Sequence, residues 1–414
     1  MLGERIREIR KMKKMTLEGL AGEELTKGML SLIENNKAKP SMESLTYIAK
    51  RLGVEVTELL EEISGQELRG LLETAEKLYN SQVEQCPDKY KQLISSLDPY
   101  MDKLNGGYEA ARLLDLYGRC LYHEQLNGWH IYCNRAAKMY DEMNLTAKRA
   151  GIGILYSTEK FVKHEYTESL TIFIAERAAI EAMHAYVDPI TRADLDYQEA
   201  ILYFAVGDSE AAKLVMEKAI QFSKEHRIFY RIDDLYRLAV AHAMMTQDEE
   251  NKMHYLKKLK QYGDFADHAP SILFYDLFQV MSLMEKQDYY ASLEIIDYYL
   301  SNPKTTDFYA VWFLLEKGKA LYSLSRFLEA IPFLEKMTIP SWVHHPFDLS
   351  LLYVKDCYKA LCLFELGHDD EALHAAKQAV DHFELLPPTP FKDFAHETYN
   401  RMKENIKKTK PAED

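Results

Sequence analysis

A short break recurs along the chain at an interval near 40 residues, and each break lies between two stretches of helical apolar periodicity. Asp208, Asp248 and Asp288 are spaced by 40 residues each. A repeat of this length is a pair of helices, which can bury its apolar face only against a neighbouring pair. The chain has 17 Gly and 13 Pro in 414 residues, and this scarcity favours long helices over many short strands. The pattern therefore predicts an all-α chain built mostly from stacked helical hairpins.

The breaks follow one another through most of the chain after residue 64. They lie at 128–129, 165–166, 207–208, 247–248, 287–288, 326–327 and 367–368. Three units have the clearest pattern, at 196–220, 314–337 and 358–380. In these units Ala200, Gly318 and Ala360 would let paired helices approach closely, and Tyr322 would fill space between helices. The units resemble tetratricopeptide repeats, which implies a right-handed superhelix with a concave groove.

The N-terminal residues differ from the rest in charge and in helix length. Residues 1–53 carry eleven basic and seven acidic side chains, a net +4, whereas the remainder carries −18. Thr16 and Thr26 are expected to cap short helices, and Gly53 to end one. Because an acidic body repels phosphate, any nucleic-acid contact is expected in this basic head. The predicted divisions are a head at 1–63, a linker helix at 64–80, repeats at 81–386 and a capping helix at 391–408.

The head contains the motifs T-x-x-x-L-A, L-S-x-I-E-N, K-P-S and I-A-x-x-L-G-V within about 62 residues. It resembles the Xre/Cro-type helix-turn-helix domain of phage repressors, which implies five helices and binding to a double-stranded DNA operator. The third helix, 26–34, would enter the major groove with four positions outward: Thr26, Lys27, Gly28 and Ser31. Phosphate contacts are expected from Arg10, Lys14, Lys37, Lys39 and Ser41. Glu34 is expected inside the head, paired with an arginine such as Arg10.

The head has three departures from that pattern, and two of them favour a different use of the head. Leu17 and Leu32 stand where the family usually has polar side chains, and Asn36 stands where it has Gly. An apolar side chain at a reading position can contact only a thymine methyl group or pack internally. A degenerate or protein-binding head is therefore the alternative to DNA binding.

The combination of a small helix-turn-helix head and a long tetratricopeptide-like body resembles the RRNPP family of peptide-responsive quorum-sensing transcription regulators, with its NprR-like and PlcR-like members. Chain length and turn spacing favour the NprR-like members. The resemblance implies a cytoplasmic receptor for a short signalling peptide, usually a homodimer and in some cases a higher oligomer, whose DNA binding changes on ligation. Phage lysis–lysogeny peptide receptors share the architecture. The alternative is a protein-interaction scaffold that binds a response-regulator protein, as Rap proteins do, with a vestigial head.

In such repeats, the first helix of each pair lines the groove. Counting back from the breaks places seven polar or aromatic side chains at groove positions: Asp194, Tyr197, Asp234, Arg237, Trp312, Lys319 and Tyr322. An extended peptide needs polar groups for its backbone, apolar pockets for alternate side chains and a charge for its terminus. Each position taken singly is also compatible with ordinary packing between repeats or with a solvated surface.

The sequence offers no catalytic constellation, and we expect neither an enzyme nor a cofactor. His123 and His396 each precede a Glu but lack the second His of a zinc-protease helix, and no G-x-S-x-G is present. The five cysteines include no C-x-x-C and lie among apolar neighbours, as expected for a reducing compartment. The N-terminal segment has no apolar signal-peptide core, and no long uncharged apolar run occurs. We expect a cytoplasmic protein with no membrane partner.

Overall fold

The computed structural model describes residues 2–60, 63–83, 85–302 and 307–409, and every regular element within these ranges is helical. The predicted all-α fold, with a helix-turn-helix head and a helical repeat body, is confirmed. The chain divides into two compact units, Met1–Arg149 and Ala150–Asp414. The helices are numbered α1 to α22 in chain order.

The head consists of five short helices around one apolar core. They are α1 (Leu2–Met12), α2 (Leu17–Ala21), α3 (Lys27–Glu34), α4 (Met42–Leu52) and α5 (Val56–Leu60). Ile6, Leu20, Leu30, Ile48 and Leu59 are fully buried in this core. The core side chains are the apolar stripes of the sequence, so the periodicity alone fixes which face of each helix is inside.

The remainder of the first unit continues directly from the head. It contains α6 (Gly65–Tyr79), α7 (Lys89–Leu97), a 3₁₀ segment (Asp98–Lys103), α8 (Gly107–His123), α9 (Trp129–Glu142) and the start of α10 (Thr146–Phe161). Helix α6 packs against α7 and α8, and its Glu76 accepts from Nε of Arg112 on α8 at 2.6 Å. The helix expected as a linker at 64–80 is thus also a packed element. The predicted boundary at residue 63 stays a prediction.

The second unit is a succession of antiparallel helical hairpins. After α10 come α11 (Tyr166–Met183), α12 (Pro189–Val206), α13 (Ser209–His226), α14 (Ile232–Met245), α15 (Glu249–Ala266), α16 (Ala269–Glu285), α17 (Tyr289–Ser301), α18 (Asp307–Ser323), α19 (Phe327–Lys336), α20 (Pro346–Glu365), α21 (Asp369–Phe383) and α22 (Pro390–Thr409). Hairpin partners pack on each other and on the next pair, and α22 packs against α20 and α21. Large buried side chains such as Phe313 and Leu235 form a core that runs through several pairs.

At three of the recurring breaks, one residue ends a helix and the residue after it caps the next helix. Gly207, at φ +84°, has the left-handed conformation that terminates a helix, and Gln247 and Gln287 have the same conformation at φ +55° and +60°. The next residue is an Asp whose carboxylate accepts a backbone N–H of the following helix, at 3.1 Å for Asp208 and 3.0 Å for Asp248. The 40-residue spacing of these aspartates is therefore the spacing of helix N-caps.

We expect Gly318→Ala to destabilise the second unit, because this glycine sets the closest approach between α18 and α19. A Cβ at position 318 would collide with a methyl carbon of Leu334 on α19, which is itself buried. Overpacking of this kind costs about 1–3 kcal/mol and outweighs the roughly 1 kcal/mol gained from helix propensity. Urea unfolding should show the loss, whereas Gly70→Ala, where a Cβ meets no atom within 4 Å, should be neutral or stabilising.

Candidate DNA-binding and ligand-binding sites

Helix α3 begins at a cap that leaves its first turn exposed. The hydroxyl of Thr26 accepts from the backbone N–H of Met29 at 3.1 Å, and the hydroxyl of Thr16 caps α2 in the same way, at 2.9 Å from the N of Gly19. Leu30 and Ile33 face the core. The other face of α3 contains three of the outward positions expected from the sequence, Lys27, Gly28 and Ser31, with Ser31 half-buried.

Lys27 is already paired within the head. Its Nζ donates to Oε1 of Glu18 at 2.8 Å, and both side chains are largely exposed. This hydrogen bond holds the pKa of Glu18 below its usual range. Exposed ion pairs contribute little to stability, so Lys27 can exchange Glu18 for another anion at small cost.

Arg10 does not have the phosphate contact expected of it, which corrects that prediction. It is buried, and it forms a bidentate ion pair with Glu34, Nε to Oε1 at 2.6 Å and Nη2 to Oε2 at 2.8 Å. Its Nη1 donates to the carbonyl of Met15 at 2.8 Å. The guanidinium of Arg10 therefore links α1 to α3 and to Met15, just before α2. The expected internal pairing of Glu34 with Arg10 is what the structure contains.

The remaining predicted phosphate contacts lie on exposed turns. Lys14 follows α1, and Lys37 and Lys39 lie between α3 and α4. Ser41 is also exposed, but its hydroxyl caps α4 by accepting from the backbone N–H of Ser44 at 3.2 Å. The Ser41 hydroxyl donates to Oγ of Ser44 at 3.1 Å, so a phosphate would have to replace that hydrogen bond.

The departures from the repressor pattern have separate structural explanations. Leu17 packs against the head core, and Leu32 is 45% exposed on α3. Asn36 has φ +56°, the conformation for which Gly is usual, and its Oδ1 accepts from the N–H of Gly3 at 2.9 Å. Leu32 is thus the one departure of the three that changes the exposed surface of α3.

The second unit encloses a cavity of about 420 Å³, within the range of small-ligand sites. It is lined by α12, α14, α16, α18 and α20 and by the segment that connects α19 to α20. Four of the predicted groove residues lie on its wall: Tyr197, Asp234, Arg237 and Trp312. Eight of the twenty lining residues are aromatic.

Three other predicted groove residues do not line this cavity, which corrects their placement in one site. Asp194 accepts from Nε of Arg231 at 2.9 Å and from the hydroxyl of Tyr230. Lys319 donates to Oε1 of buried Glu316 at 2.7 Å. Tyr322 packs between helices, with its ring 5.6 Å from that of Tyr358. These three positions contact packing partners or ion-pair partners instead, and their role in peptide binding stays a prediction.

The connection from α19 to α20, residues 337–345, closes one side of the cavity and is called the strap below. Trp342, Val343, His344 and His345 of the strap line the cavity. The hydroxyl of Tyr166 on α11 donates to the carbonyl of His344 at 2.8 Å, and Nε2 of His345 lies 3.3 Å from the carbonyl oxygen of Ile201 on α12. The strap therefore links the two ends of a run of five hairpins.

The sequence did not indicate the strap or the acidic residue that follows it. Asp348, in the first turn of α20, lines the cavity. Burial raises the pKa of the Asp348 carboxyl and lowers that of the His345 imidazole. A usable signal was present in the segment 341–347, where Trp, Val and Phe accompany two His in what reads as a loop.

Within the described residues, no group of three or more His, Cys, Asp or Glu side chains is placed to hold a metal ion. The same part of the chain contains no helix long and apolar enough to cross a membrane. All five cysteines are free thiols, four of them buried, and burial raises the pKa of Cys357 and Cys362 to about 12. These thiols are therefore packing residues at neutral pH.

The chain is similar to several solved peptide-receptor structures at low identity. One is PlcR of Bacillus thuringiensis in complex with the peptide PapR7 and DNA, at 19% identity over 66% of this chain and 98% of that chain, with a TM-score of 0.34. Another is the SHP pheromone receptor Rgg2 of Streptococcus dysgalactiae, at 16% over 66% and 98%, with a TM-score of 0.31. A third is ComR of Streptococcus vestibularis with its cognate signalling peptide XIP, at 18% over 65% and 94%, with a TM-score of 0.35. These scores are too low to carry an inference about this chain.

The comparison with family models concerns the head alone. No curated protein matches the chain significantly. Residues 3–64 match the family described as a helix-turn-helix domain. This range includes the caps, the buried Arg10–Glu34 pair and the whole of α3, and it identifies the N-terminal part of the chain as a helix-turn-helix domain.

Proposed function

We propose that this chain is a peptide-responsive DNA-binding regulator of the RRNPP type, in which the second unit binds a short signalling peptide and the head binds duplex DNA. The observation that carries the proposal is the cavity of the repeat unit, in a chain whose N-terminal residues match a helix-turn-helix domain. Its aromatic wall with a few charged groups is the composition expected of a ligand site rather than of a packing defect.

The DNA-binding half of the proposal rests on the exposed face of the head. Lys27, Gly28 and Ser31 would face base edges in the major groove, and Lys14, Lys37 and Lys39 would meet phosphates. Each of these side chains is exposed or half-buried on the helix-turn-helix. A homodimer would present two such heads to the two half-sites of an operator.

The peptide-binding half rests on the cavity wall. Tyr197, Asp234 and Arg237 supply hydrogen-bonding groups, and Trp312 and its aromatic neighbours supply apolar contacts. A ligand can shift a conformational equilibrium only by its differential affinity for the two states. The bound peptide would therefore have to prefer one arrangement of the hairpins, and the strap, which joins distant hairpins across the cavity, is the element best placed to report its presence.

The alternative function is a protein-interaction scaffold, with a response regulator as partner and a head that no longer reads DNA. The exposed Leu32 on α3 favours it. The basic charge of the head within an acidic chain favours DNA binding instead.

We expect Lys27→Ala to reduce the salt dependence of binding to random duplex DNA. A lysine that neutralises one phosphate contributes about 0.9 to the slope of log K against log salt, so the slope should fall by roughly one. Lys77→Ala is the matched control, since Lys77 is equally exposed and pairs with Glu73 at 2.7 Å on α6. It should leave the slope unchanged.

Absence of any DNA binding by the intact chain at low salt would exclude the regulator and leave the scaffold. The peptide is tested separately, by purifying the chain from its native cells and determining the masses of small molecules released on denaturation. Recovery of a peptide together with a steep salt slope supports both halves of the proposal.

A further inference from the structure

The cavity wall contains a carboxylate without a partner. Asp348 forms neither a hydrogen bond nor an ion pair with any described residue, and only longer-range interactions with Arg237, His345 and Tyr197 act on it. Burial raises the pKa of its carboxyl, which means that the charged form is held there at a cost. In a mostly apolar site, such an acid either takes up a proton or is stabilised in its charged form by a positive charge that a ligand supplies.

The other charged side chains of the cavity wall, Asp234 and Arg237, belong to a chain of ion pairs that extends beyond the wall. Asp194, Arg231, Asp234 and Arg237 form a chain of ion pairs, at 2.9 Å, 2.9 Å and 3.3 Å in that order. It contains two acids and two bases, so Arg237 is not left over to neutralise Asp348. Burial lowers the pKa of His344 and of His345, which keeps both imidazoles neutral at pH 7.

The surroundings of Asp348 suit a cation better than a second apolar group. Tyr197, Phe274, Trp312 and Phe347 line the same cavity, and the guanidinium of Arg237 already lies 4.1 Å from the ring centroid of Phe274. Aromatic faces attract cations, most strongly where water is excluded. The position of Asp348 in the first turn of α20 favours its ionised form, but no backbone N–H of that helix binds the carboxylate, so helix capping does not account for it.

We propose that the cavity binds an alkylammonium group, with Asp348 as its counter-ion and the aromatic side chains as its walls. This inference rests on the proposed peptide-binding function and specifies the chemistry of the ligand: the peptide places either its amino terminus or a lysine side chain at Asp348. Both sources present a primary ammonium group, and the experiment below separates them.

The test uses the full-length chain and small probes of known charge. Trp129→Phe leaves Trp312 and Trp342, both on the cavity wall, as the remaining tryptophans, so fluorescence then reports on the cavity. Phenethylamine and phenethyl alcohol have the same ring and linker and differ in the ammonium group. A fragment of this size should bind with roughly millimolar affinity, and we expect the amine to bind at least about tenfold more tightly than the alcohol.

Asp348→Asn, made in the Trp129→Phe background, should abolish the preference for the amine while leaving alcohol binding within about twofold. Asp393→Asn is the matched control, because Asp393 also lies in the first turn of a helix, α22, but is exposed. It should retain the preference. Circular dichroism of each variant establishes that the fold is intact, and Asp348→Glu, which keeps the charge, should retain a preference for the amine.

Two further probes distinguish the sources of the ammonium group. Phenylalanine amide presents an α-ammonium like that of a peptide terminus, and Nα-acetyl-lysine amide presents only a side-chain ammonium. The probe that binds more tightly identifies the source of the ammonium group. Equal binding of amine and alcohol, or an amine preference that persists in Asp348→Asn, overturns the inference. Neither result touches the proposed function, which is decided by the salt slope and by peptide recovery.

Discussion

Arg10→Ala should unfold the head and abolish DNA binding, although Arg10 contacts no DNA in our proposal. The substitution removes three hydrogen bonds and leaves the carboxylate of Glu34, which is 3% exposed, without its counter-ion. Breaking one half of a buried ion pair costs about 3–5 kcal/mol. A domain of some 60 residues is stable by about 3–9 kcal/mol, so most of the stability of the head would be lost. Hydrogen exchange of the intact chain should show loss of protection in residues 2–60.

The double variant Arg10→Met with Glu34→Leu separates structure from DNA contact. Apolar replacement of a whole buried pair is often neutral or stabilising, so protection of the head should return. DNA binding should return with it, since the structure commits both side chains to the interior. Recovery of protection without recovery of DNA binding would show that Arg10 also reaches phosphate, contrary to the assignment made from its burial.

The elements that could be predicted from the sequence are those determined by local chemistry. Helix caps at Thr16 and Thr26 depend on one side chain and a backbone group three residues on, and a single sequence shows both. Three of the hairpin breaks combine a positive φ with a following Asp cap, and this local pattern makes their 40-residue spacing visible in the sequence. The pairing of Arg10 with Glu34 was indicated by the repressor-like pattern, but that same pattern assigned Arg10 to phosphate, and one buried guanidinium cannot do both.

The cavity could be predicted only in part. Some of its lining residues lie on the first helices of hairpins, whereas others lie on the strap and at the start of α20. The first helices of the hairpins place three of these side chains on the cavity wall, namely Tyr197, Arg237 and Trp312. Which side of a helix a residue lies on follows from its distance in sequence from the nearest break. Lys319 and Tyr322 also lie on α18, but Lys319 pairs with Glu316 of the same helix and the ring of Tyr322 packs against that of Tyr358 on α20. Counting from a break does not reveal such partners.

The strap could not be predicted, because it depends on contacts between residues remote in sequence. Tyr166 and His344 are separated by 178 residues, and no periodicity relates them. Asp348 was missed for the same reason: the cavity that it lines includes α12 and α14, which begin more than a hundred residues earlier. The proposed ammonium site therefore depends on Asp348, a residue that the local sequence pattern did not indicate.

Ala241→Trp should eliminate peptide binding with little loss of stability. Ala241 lies on α14 and lines the cavity, so a large ring at this position enters open space rather than a packed core. Filling a site of about 420 Å³ with an indole excludes the peptide sterically, and we expect affinity to fall at least about a hundredfold. The peptide mass recovered from the purified chain should disappear.

The matched control for this variant is Met245→Trp, which adds the same ring one turn further along α14, at a position that is 44% exposed. It should bind peptide as the parent does. A ligand present at a hundred times its dissociation constant stabilises the folded state by about 2.7 kcal/mol, and this increment should be kept in Met245→Trp and lost in Ala241→Trp. If Ala241→Trp still retained peptide and the full increment, the peptide would bind elsewhere on the hairpins, and Asp348 would then need another explanation for its missing partner.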